Sequence, residues 1–240
     1  VHSPTARGGL ATGFFGQGLD RPDDPYFAHR PRWATTSRIL QLLTPAFRER
    51  IDATHPLARL AELAPRPEAS WTPLCRDQYV EAHTLLTGYL LAAQGDRVAM
   101  AASIEGRYPF LDHRLIEFAS RLPPQWKIRG LEEKYILRRA VSDWLPRNVA
   151  GRTKQPYRAP DSQSFFRNGE PLDYVKQLLD PDAIRRAGYF DPAMTSRLVE
   201  KCRRGAAIGF GDNMALVTVL STQALHHYCH TTWGGPQVAR

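Results

Sequence analysis

The chain has 240 residues, enough for one sizeable domain, and its 42% hydrophobic and 23% charged residues are typical of a globular protein. Its formal net charge is +8, but the basic residues are spread along the chain, which favours solvated helix surfaces over a nucleic-acid footprint. No apolar run could span a membrane and no signal peptide is visible, which excludes a membrane-spanning protein and predicts a cytoplasmic one.

The first third of the chain predicts turns and short helices. The glycine-rich stretch 8–18 predicts turns, and without a preceding strand it is only a weak indication of a phosphate loop. A short helix is expected over 38–43, and short helices interrupted by Pro56 are expected over 46–63. The prolines over 65–73 then predict a surface loop.

Apolar residues recur at helical spacing through most of the remaining chain. The longest such stretch, 74–103, predicts one helix with an irregularity at Gly88 or Gly95. Asp112 is expected to cap the next helix, which Pro123 ends. No run alternates convincingly as a strand, so the expected fold class is mainly α. Further helices are predicted over 132–145, 181–187, 191–203 and 213–230, with an ordered loop over 147–170.

A polar connection between two predicted helices, 103–114, is the first candidate site. Pro109 directs Tyr108 away from helical geometry, so this segment should be extended. Glu105 and Arg107 are two residues apart and would therefore face the same side. The carboxylate could act as a base or orient an amine, and the guanidinium could bind a carboxylate or phosphate. A structural Glu–Arg latch is the alternative that an isolated pair favours.

Two further segments carry charge in unusual places. The neighbours Asp96 and Arg97 fall at the end of an otherwise apolar helix, where they are either exposed or matched to a partner. Lys154 lies between Arg152 and Arg158 in a stiff loop with two prolines. A lysine there could offset charge on a reacting phosphate, but a basic, solvent-facing loop explains the pattern equally well.

Residues that could bind a metal form no recognisable set, so no metal ligands are expected. His226 and His230 are four residues apart on a predicted helix, but no further ligand pattern supports a metal site, which favours ordinary helix histidines. Three cysteines are widely spaced and odd in number, which predicts reduced, buried or partly buried thiols. These are Cys75, Cys202 and Cys229.

The order and spacing of these segments resemble the synthetase domain of glutamine-hydrolysing asparagine synthetases. The likeness is strongest over 86–165, and its specificity comes from several blocks in the same order. The blocks are the run Gly95-Asp96-Arg97 to Met100, Ser103-Ile104-Glu105-Gly106-Arg107-Tyr108-Pro109-Phe110-Leu111-Asp112-His113, Leu122-Pro123, Lys127, Glu133-Lys134-Tyr135-Ile136-Leu137-Arg138, Leu145-Pro146 and Arg152-x-Lys154-Gln155.

The resemblance implies that residues 1–240 form the helical C-terminal part of an α/β adenine-nucleotide-hydrolase-like (PP-loop) synthetase domain. The family's N-terminal glutaminase domain and its Ser-Gly-Gly-x-Asp-Ser pyrophosphate loop are not in this sequence. We therefore expect a glutaminase and PP-loop part in the same or a companion chain. The 240-residue chain alone is expected to show neither glutaminase nor synthetase activity.

The implied reaction is ATP-dependent amide formation. A small carboxylic acid would be adenylated with ATP and Mg²⁺, whose ligands lie mostly outside this chain, and glutamine-derived ammonia would then displace AMP. By the same resemblance, Glu105 is a catalytic residue that serves the amine or the bound acid, and Lys154 is a catalytic residue that contacts the ATP phosphates. The expected pocket residues are Arg97, Arg107, Tyr108 and Asp112.

Two alternatives remain open. β-Lactam synthetases are related to this family and use the scaffold for ring closure, so a lactam-forming or peptide-cyclising ligase is the first alternative. The run 18–25 and the segment 157–160 also resemble the branch found in bacterial natural-product pathways. A non-catalytic module that binds through its basic surface is the second alternative.

Overall fold

The computed structural model describes residues 23–54, 56–63, 70–130, 132–152, 162–206 and 210–232. These residues are mostly helical, and their only two sheets are antiparallel pairs of two-residue strands. The mainly α fold class is therefore confirmed. No helix in these ranges is both long enough and apolar enough to cross a membrane. The chain divides into two compact units, which within the described ranges comprise 23–31 with 57–152, and 32–56 with 162–232.

One continuous helix over 73–101 forms the first unit's longest element, as the periodicity over 74–103 predicts. It begins where Thr72 accepts a hydrogen bond from the Cys75 N–H at 3.4 Å, with Pro73 at the first helical position. Both features favour a helix start, because N–H groups in the first turn have no partner within the helix. Proline lacks such an N–H group, and the threonine hydroxyl accepts a hydrogen bond from another one.

The middle of this long helix winds more widely than an α-helix. Ala82–Asp96 is π-helical for 15 residues, and the Arg97 N–H donates to the Ala92 carbonyl five residues back. The irregularity expected at Gly88 or Gly95 takes this form, since both glycines lie in the π-helical stretch. The α-helical ends are Pro73–Glu81 and Arg97–Ala101.

The next helix, His113–Arg121, has the boundaries that the sequence predicts. The Asp112 side chain accepts a hydrogen bond from the Arg114 N–H at 2.9 Å, which makes Asp112 the N-cap. At the other end, Leu122 is extended because Pro123 disfavours helical geometry in the residue before it.

The helix predicted over 132–145 is shorter than expected. Glu132–Glu133 instead pairs with Ile128–Arg129, and Lys134 is left-handed with φ of 55°, so the helix is confined to Tyr135–Ala140. Strands of two residues are too short to show alternation, which is why the prediction failed. The remaining helices before residue 152 are Arg30–Ser37, the 3₁₀ helix Arg38–Leu42, Pro45–Asp52, Pro56–Leu63, the 3₁₀ turn Pro109–Leu111, Pro124–Lys127 and Arg147–Ala150.

The second unit encloses a hydrophobic core. Val175, Ile184, Cys202, Leu216 and Val219 are each at most 1% exposed and belong to one buried cluster. Burying such side chains is the main favourable contribution to folding. The helices predicted over 181–187, 191–203 and 213–230 are confirmed. Its helices after residue 161 are the 3₁₀ helix Ser162–Phe165, then Asp173–Leu178, Pro181–Ala187, Pro192–Arg203 and Phe210–Thr232.

The ordered loop expected over 147–170 contains a β-hairpin within its described part. Phe166–Arg167 pairs with Glu170–Pro171 across the dipeptide Asn168-Gly169. Both turn residues have positive φ, 53° and 79°, which Asn-Gly adopts at low cost in tight hairpins. The loop prediction was wrong here because this local signal was not used.

Candidate functional site

The long helix ends in a hydrogen-bonding pattern that leads directly into the candidate site. The Ile104 N–H donates to the Ala99 carbonyl at 2.8 Å, and the Ser103 N–H donates to the Met100 carbonyl at 3.1 Å. With Ser103 at φ 54°, this is a Schellman motif, which reverses the chain at a helix end. We call residues 103–112 the site turn.

Glu105 and Arg107 form an ion pair on the site turn. The Arg107 Nη2 atom lies 2.9 Å from Glu105 Oε1. The Glu105 side chain is 74% exposed and the Arg107 side chain 81%. They therefore face the same side, as their spacing predicts. Because an ion pair this exposed contributes little to stability, the pair is a poor latch and is accessible to a ligand.

Asp112 points towards the helix that it caps. Its carboxylate accepts hydrogen bonds from Nε and Nη2 of Arg114 at 3.0 and 2.7 Å. These side-chain bonds, followed by the bond from the Arg114 backbone N–H, hold the pKa of Asp112 below its ordinary value. The same bonds raise the pKa of Arg114. The structure thus gives Asp112 a capping role, and its place in a ligand pocket stays a prediction.

The other predicted site residues are distributed along the first unit. Arg97 is exposed at the start of the helical segment that precedes the site turn. Tyr108 is 44% exposed, and its hydroxyl lies beside Gly95 of the π-helical stretch. Lys154 lies outside the described residues. Two positions before it, the Arg152 carbonyl accepts a hydrogen bond from Arg138 Nη2 at 3.2 Å.

Tyr135 forms a polar cluster that helical periodicity alone did not reveal. The Arg129 Nη1 atom donates to the Tyr135 hydroxyl at 2.7 Å. The guanidinium carbons of Arg129 and Arg139 lie 5.3 and 5.8 Å from the centre of the buried ring. This cation–π arrangement keeps two positive charges next to the paired strands Ile128–Arg129 and Glu132–Glu133.

A buried histidine was also missed. His29 is 4% exposed, with Nε2 2.9 Å from Asp77 Oδ1 and Nδ1 3.3 Å from Glu81 Oε2. The two carboxylates are four residues apart on the long helix and so share one face, which was the available signal. Residue types alone do not indicate which basic residue these carboxylates would meet.

The densest basic segments of the second unit lie at helix C-termini, where cations are favourable. Arg185 pairs with Asp182, three residues earlier on its own helix. Arg203 pairs with Glu200 through an Nε–Oε2 contact of 2.7 Å, and the Lys201 ammonium lies 2.6 Å from an Asp212 carboxylate oxygen. These pairings agree with the predicted solvated helix faces.

His226 has a protein partner, as expected for an ordinary helix histidine. Its Nδ1 atom lies 3.1 Å from the Tyr189 hydroxyl, and its ring centre is 4.2 Å from that of His230. Partial burial, then the charges of His230 and His227, lower the pKa of His226. In the ranges given above, no three His, Cys, Asp or Glu side chains lie close enough to hold a metal ion.

The three cysteines are unpaired thiols, as their spacing predicts. Cys202 is buried, which raises its pKa, and Cys75 is half-buried. Cys229 is exposed, contrary to the expectation of burial, because it lies on a solvent-facing part of the helix Phe210–Thr232.

The chain shares sequence with several proteins of known family. The profile of the asparagine synthase family matches residues 14–227. The chain is 32% identical over 137 residues to amidase chyE of Penicillium rubens, which covers 55% of this chain and 20% of that protein. Over 92 residues, it is 35% identical to glutamine-hydrolyzing asparagine synthetase 1 of Bacillus subtilis, covering 38% of this chain and 14% of the synthetase. Over 62 residues, it is 45% identical to glutamine-hydrolyzing asparagine synthetase 3 of the same organism, covering 26% of this chain and 10% of that synthetase.

The chain therefore spans a fifth or less of the length of each of these relatives. No solved structure matches the chain.

Proposed function

Because the chain belongs to the asparagine synthase family, we propose that it is part of an ATP-dependent ligase that converts a carboxylic acid into an amide. The observation that carries this proposal is the family match over residues 14–227, which includes the whole site turn with its exposed Glu105–Arg107 pair. The nitrogen would come from glutamine-derived ammonia.

The reaction proceeds in two transfers. An oxygen of the acid attacks the α-phosphorus of ATP, which forms an acyl-adenylate and releases pyrophosphate. The ammonia nitrogen then attacks the acyl carbon, AMP leaves with the electron pair of the broken C–O bond, and one proton is lost from nitrogen. Enzymes accelerate such steps mainly by positioning the reactants and by stabilising developing charge.

Glu105 would serve the second transfer or orient the bound acid. Its Oε1 atom is held by Arg107 at 2.9 Å, and Oε2 would take the proton from the amine or bind the substrate. Arg107 and Arg97 are exposed cations of the same unit, and their guanidinium groups suit phosphate or carboxylate oxygens. Tyr108 and Asp112 complete the proposed pocket on the same turn.

Lys154 is proposed to contact the ATP phosphates and to offset charge as pyrophosphate departs. This assignment rests on the match of its segment to the family motif. Mg²⁺ would enter with ATP, with its ligands mostly outside this chain, as the family resemblance implies. Its chemical contribution would be to neutralise phosphate charge.

A companion part in the same or another chain is proposed to bind adenine, supply ammonia and cover the first unit. The support is the exposure of large apolar side chains there, such as Met100 at 69%, Phe110 at 68% and Phe118 at 59%. Apolar surface of this kind marks an interaction site. The companion part would be the α/β nucleotide-binding sheet and glutaminase domain expected from the resemblance.

The lysine assignment is tested by Lys154→Met in the full natural protein. Loss of a charge that stabilises a transition state typically costs about 100-fold or more in rate. We expect ATP-dependent pyrophosphate release to fall by about that factor, while Lys176→Met, an exposed lysine of the second unit, leaves it unchanged. Release at the unmodified rate in Lys154→Met would remove the lysine from the mechanism.

A further inference from the structure

The ring of Tyr108 lies against two glycines that come from separate sequence motifs. A Cβ atom added to Gly106 would lie 2.5 Å from the Tyr108 hydroxyl oxygen, 2.7 Å from Cζ and 3.0 Å from Cε2. A Cβ atom added to Gly95 would lie 3.3 Å from the same hydroxyl oxygen and 3.1 Å from the Leu90 carbonyl oxygen. At Gly106 the ring occupies the space that a side chain would need, because contacts shorter than 3.0 Å require an atom to move. At Gly95 the fit is tight, and the two oxygen atoms would have to give way by a few tenths of an ångström.

Backbone conformation does not explain these glycines. Among the described glycines, those with positive φ are Gly130, Gly169, Gly188 and Gly205, and neither Gly95 nor Gly106 is one of them. Gly95 also lies inside a helix, where glycine is less favourable than alanine. At Gly106 the space for a side chain is taken by Tyr108, and at Gly95 it is taken jointly by the Leu90 carbonyl oxygen and the Tyr108 hydroxyl.

The packed ring holds the backbone on both sides of Gly106. Glu105 and Arg107 flank this glycine, and their own ion pair is too exposed to fix the turn. Tyr108 is the less exposed side chain, at 44%, and its backbone is restricted by the following Pro109. The ring thus connects the end of the π-helical stretch to the turn that carries the two charged residues.

We propose that Gly95 and Gly106 are positioning residues for Glu105 and Arg107, acting through the ring of Tyr108. The inference rests on the proposed function, because it concerns the direction in which these side chains meet the substrate. It assigns a role to two residues outside the proposed catalytic set. Gly106 has the larger effect, because its contacts with the ring are the shorter ones.

The test is Gly106→Ala in the full natural protein. Misplacing a reacting group by about 1 Å can cost about 100-fold in rate. We expect the kcat of amide formation to fall by about that factor, with the KM for ATP little changed, and a smaller fall for Gly95→Ala. Gly88→Ala is the matched control. Gly88 lies on the same long helix as Gly95, but an added Cβ there would have no atom within 4 Å.

A double-mutant cycle on thermal stability gives a readout independent of activity. Tyr108→Ala removes the ring, so Gly106→Ala should lower Tm in the unmodified protein and have no further effect beside Tyr108→Ala. Additive losses of Tm would overturn the proposed packing. A kcat in Gly106→Ala equal to that of Gly88→Ala, while Glu105→Gln is inactive, would overturn the positioning role. If Glu105→Gln is itself fully active, the proposed function fails instead.

Discussion

Ser103 is the residue at which the long helix stops and the site turn begins. It adopts φ of 54°, a conformation in which an L side chain is crowded and glycine is not. The strain lies two residues before Glu105, and backbone strain of this kind is concentrated at functional sites. The Schellman hydrogen bonds at Ile104 and Ser103 offset part of its cost.

Ser103→Gly should stabilise the protein. Removing the side chain relieves the left-handed strain, so the free energy of unfolding should rise by about 1 kcal/mol, measured by urea denaturation. Ser120→Gly is the control, because Ser120 is exposed within a regular helix, where glycine lowers stability. A loss of stability in Ser103→Gly would show that the serine side chain supports the turn.

Aromatic contacts and buried aliphatic side chains hold the elements of the second unit together. Tyr189 packs edge-on against Phe47 at 5.2 Å between ring centres and against the imidazole of His226 at 5.4 Å. The buried Leu216 lies on the helix Phe210–Thr232, which also carries His226. Stability of this unit should therefore respond both to cavities and to protonation of the histidine.

Loss of stability at mildly acidic pH should come partly from His226. The pKa of His226 is lowered in the fold, so the unfolded chain binds the proton more tightly. Its contribution is complete above the ordinary value of about 6.5 and is lost as the pH falls through the lower folded pKa. Between about pH 7.5 and about pH 5.5, His226→Gln should show a smaller fall in Tm than the unmodified protein.

The control for this pH series is Ser221→Ala, since Ser221 is an exposed, uncharged residue of the same helix as His226. Its fall in Tm should match that of the unmodified protein. An unchanged pH dependence in His226→Gln would contradict the assigned origin.

Leu216→Ala should create a cavity in the core of the second unit. Leu216 is 0% exposed, and removing a buried leucine side chain costs about 3 kcal/mol of unfolding free energy. Leu225→Ala, 64% exposed on the same helix, should change it by less than about 0.5 kcal/mol. Equal effects in urea denaturation would contradict the location of the core.

The sequence predicts an element well where the residues that determine it are close together in the chain. Asp112 and Pro123 delimit a helix through local chemistry, and the spacing of Glu105 and Arg107 places both on one side. Lys134 has no comparable signal, because nothing in the lysine side chain favours the left-handed conformation that it adopts. The contacts of His29 and Tyr108 depend on residues distant in sequence or on steric fit, which residue types alone do not specify.

The two units of the molecule differ in how completely they bury apolar side chains. The second unit contains the buried cluster that includes Val175, Leu216 and Val219. In the described part of the first unit, the buried hydrophobic residues are Val80 and Tyr135. A domain requires its apolar faces to be covered, so the first unit is where a companion part is proposed to bind.

The exposed apolar side chains of the first unit should bind a hydrophobic dye. In the 240-residue chain, Phe118→Ser should lower the fluorescence of bound anilinonaphthalene sulfonate, because Phe118 is 59% exposed. Tyr174→Ser, 49% exposed in the second unit, is the control and should leave the fluorescence unchanged. If the fluorescence of Phe118→Ser equals that of Tyr174→Ser, the dye binds to apolar surface other than that around Phe118.

If the site turn belongs to the amide-forming site, Glu105→Gln in the full natural protein should greatly reduce amide formation. Amide formation and ATP–pyrophosphate exchange would be measured beside Glu117→Gln, an exposed glutamate on the next helix. We expect amide formation to be lower by about 100-fold or more in Glu105→Gln and unchanged in Glu117→Gln. Unchanged exchange would assign Glu105 to the amine, and a parallel loss would assign it to the bound acid. Full amide formation in Glu105→Gln would show that the site turn does not belong to the amide-forming site.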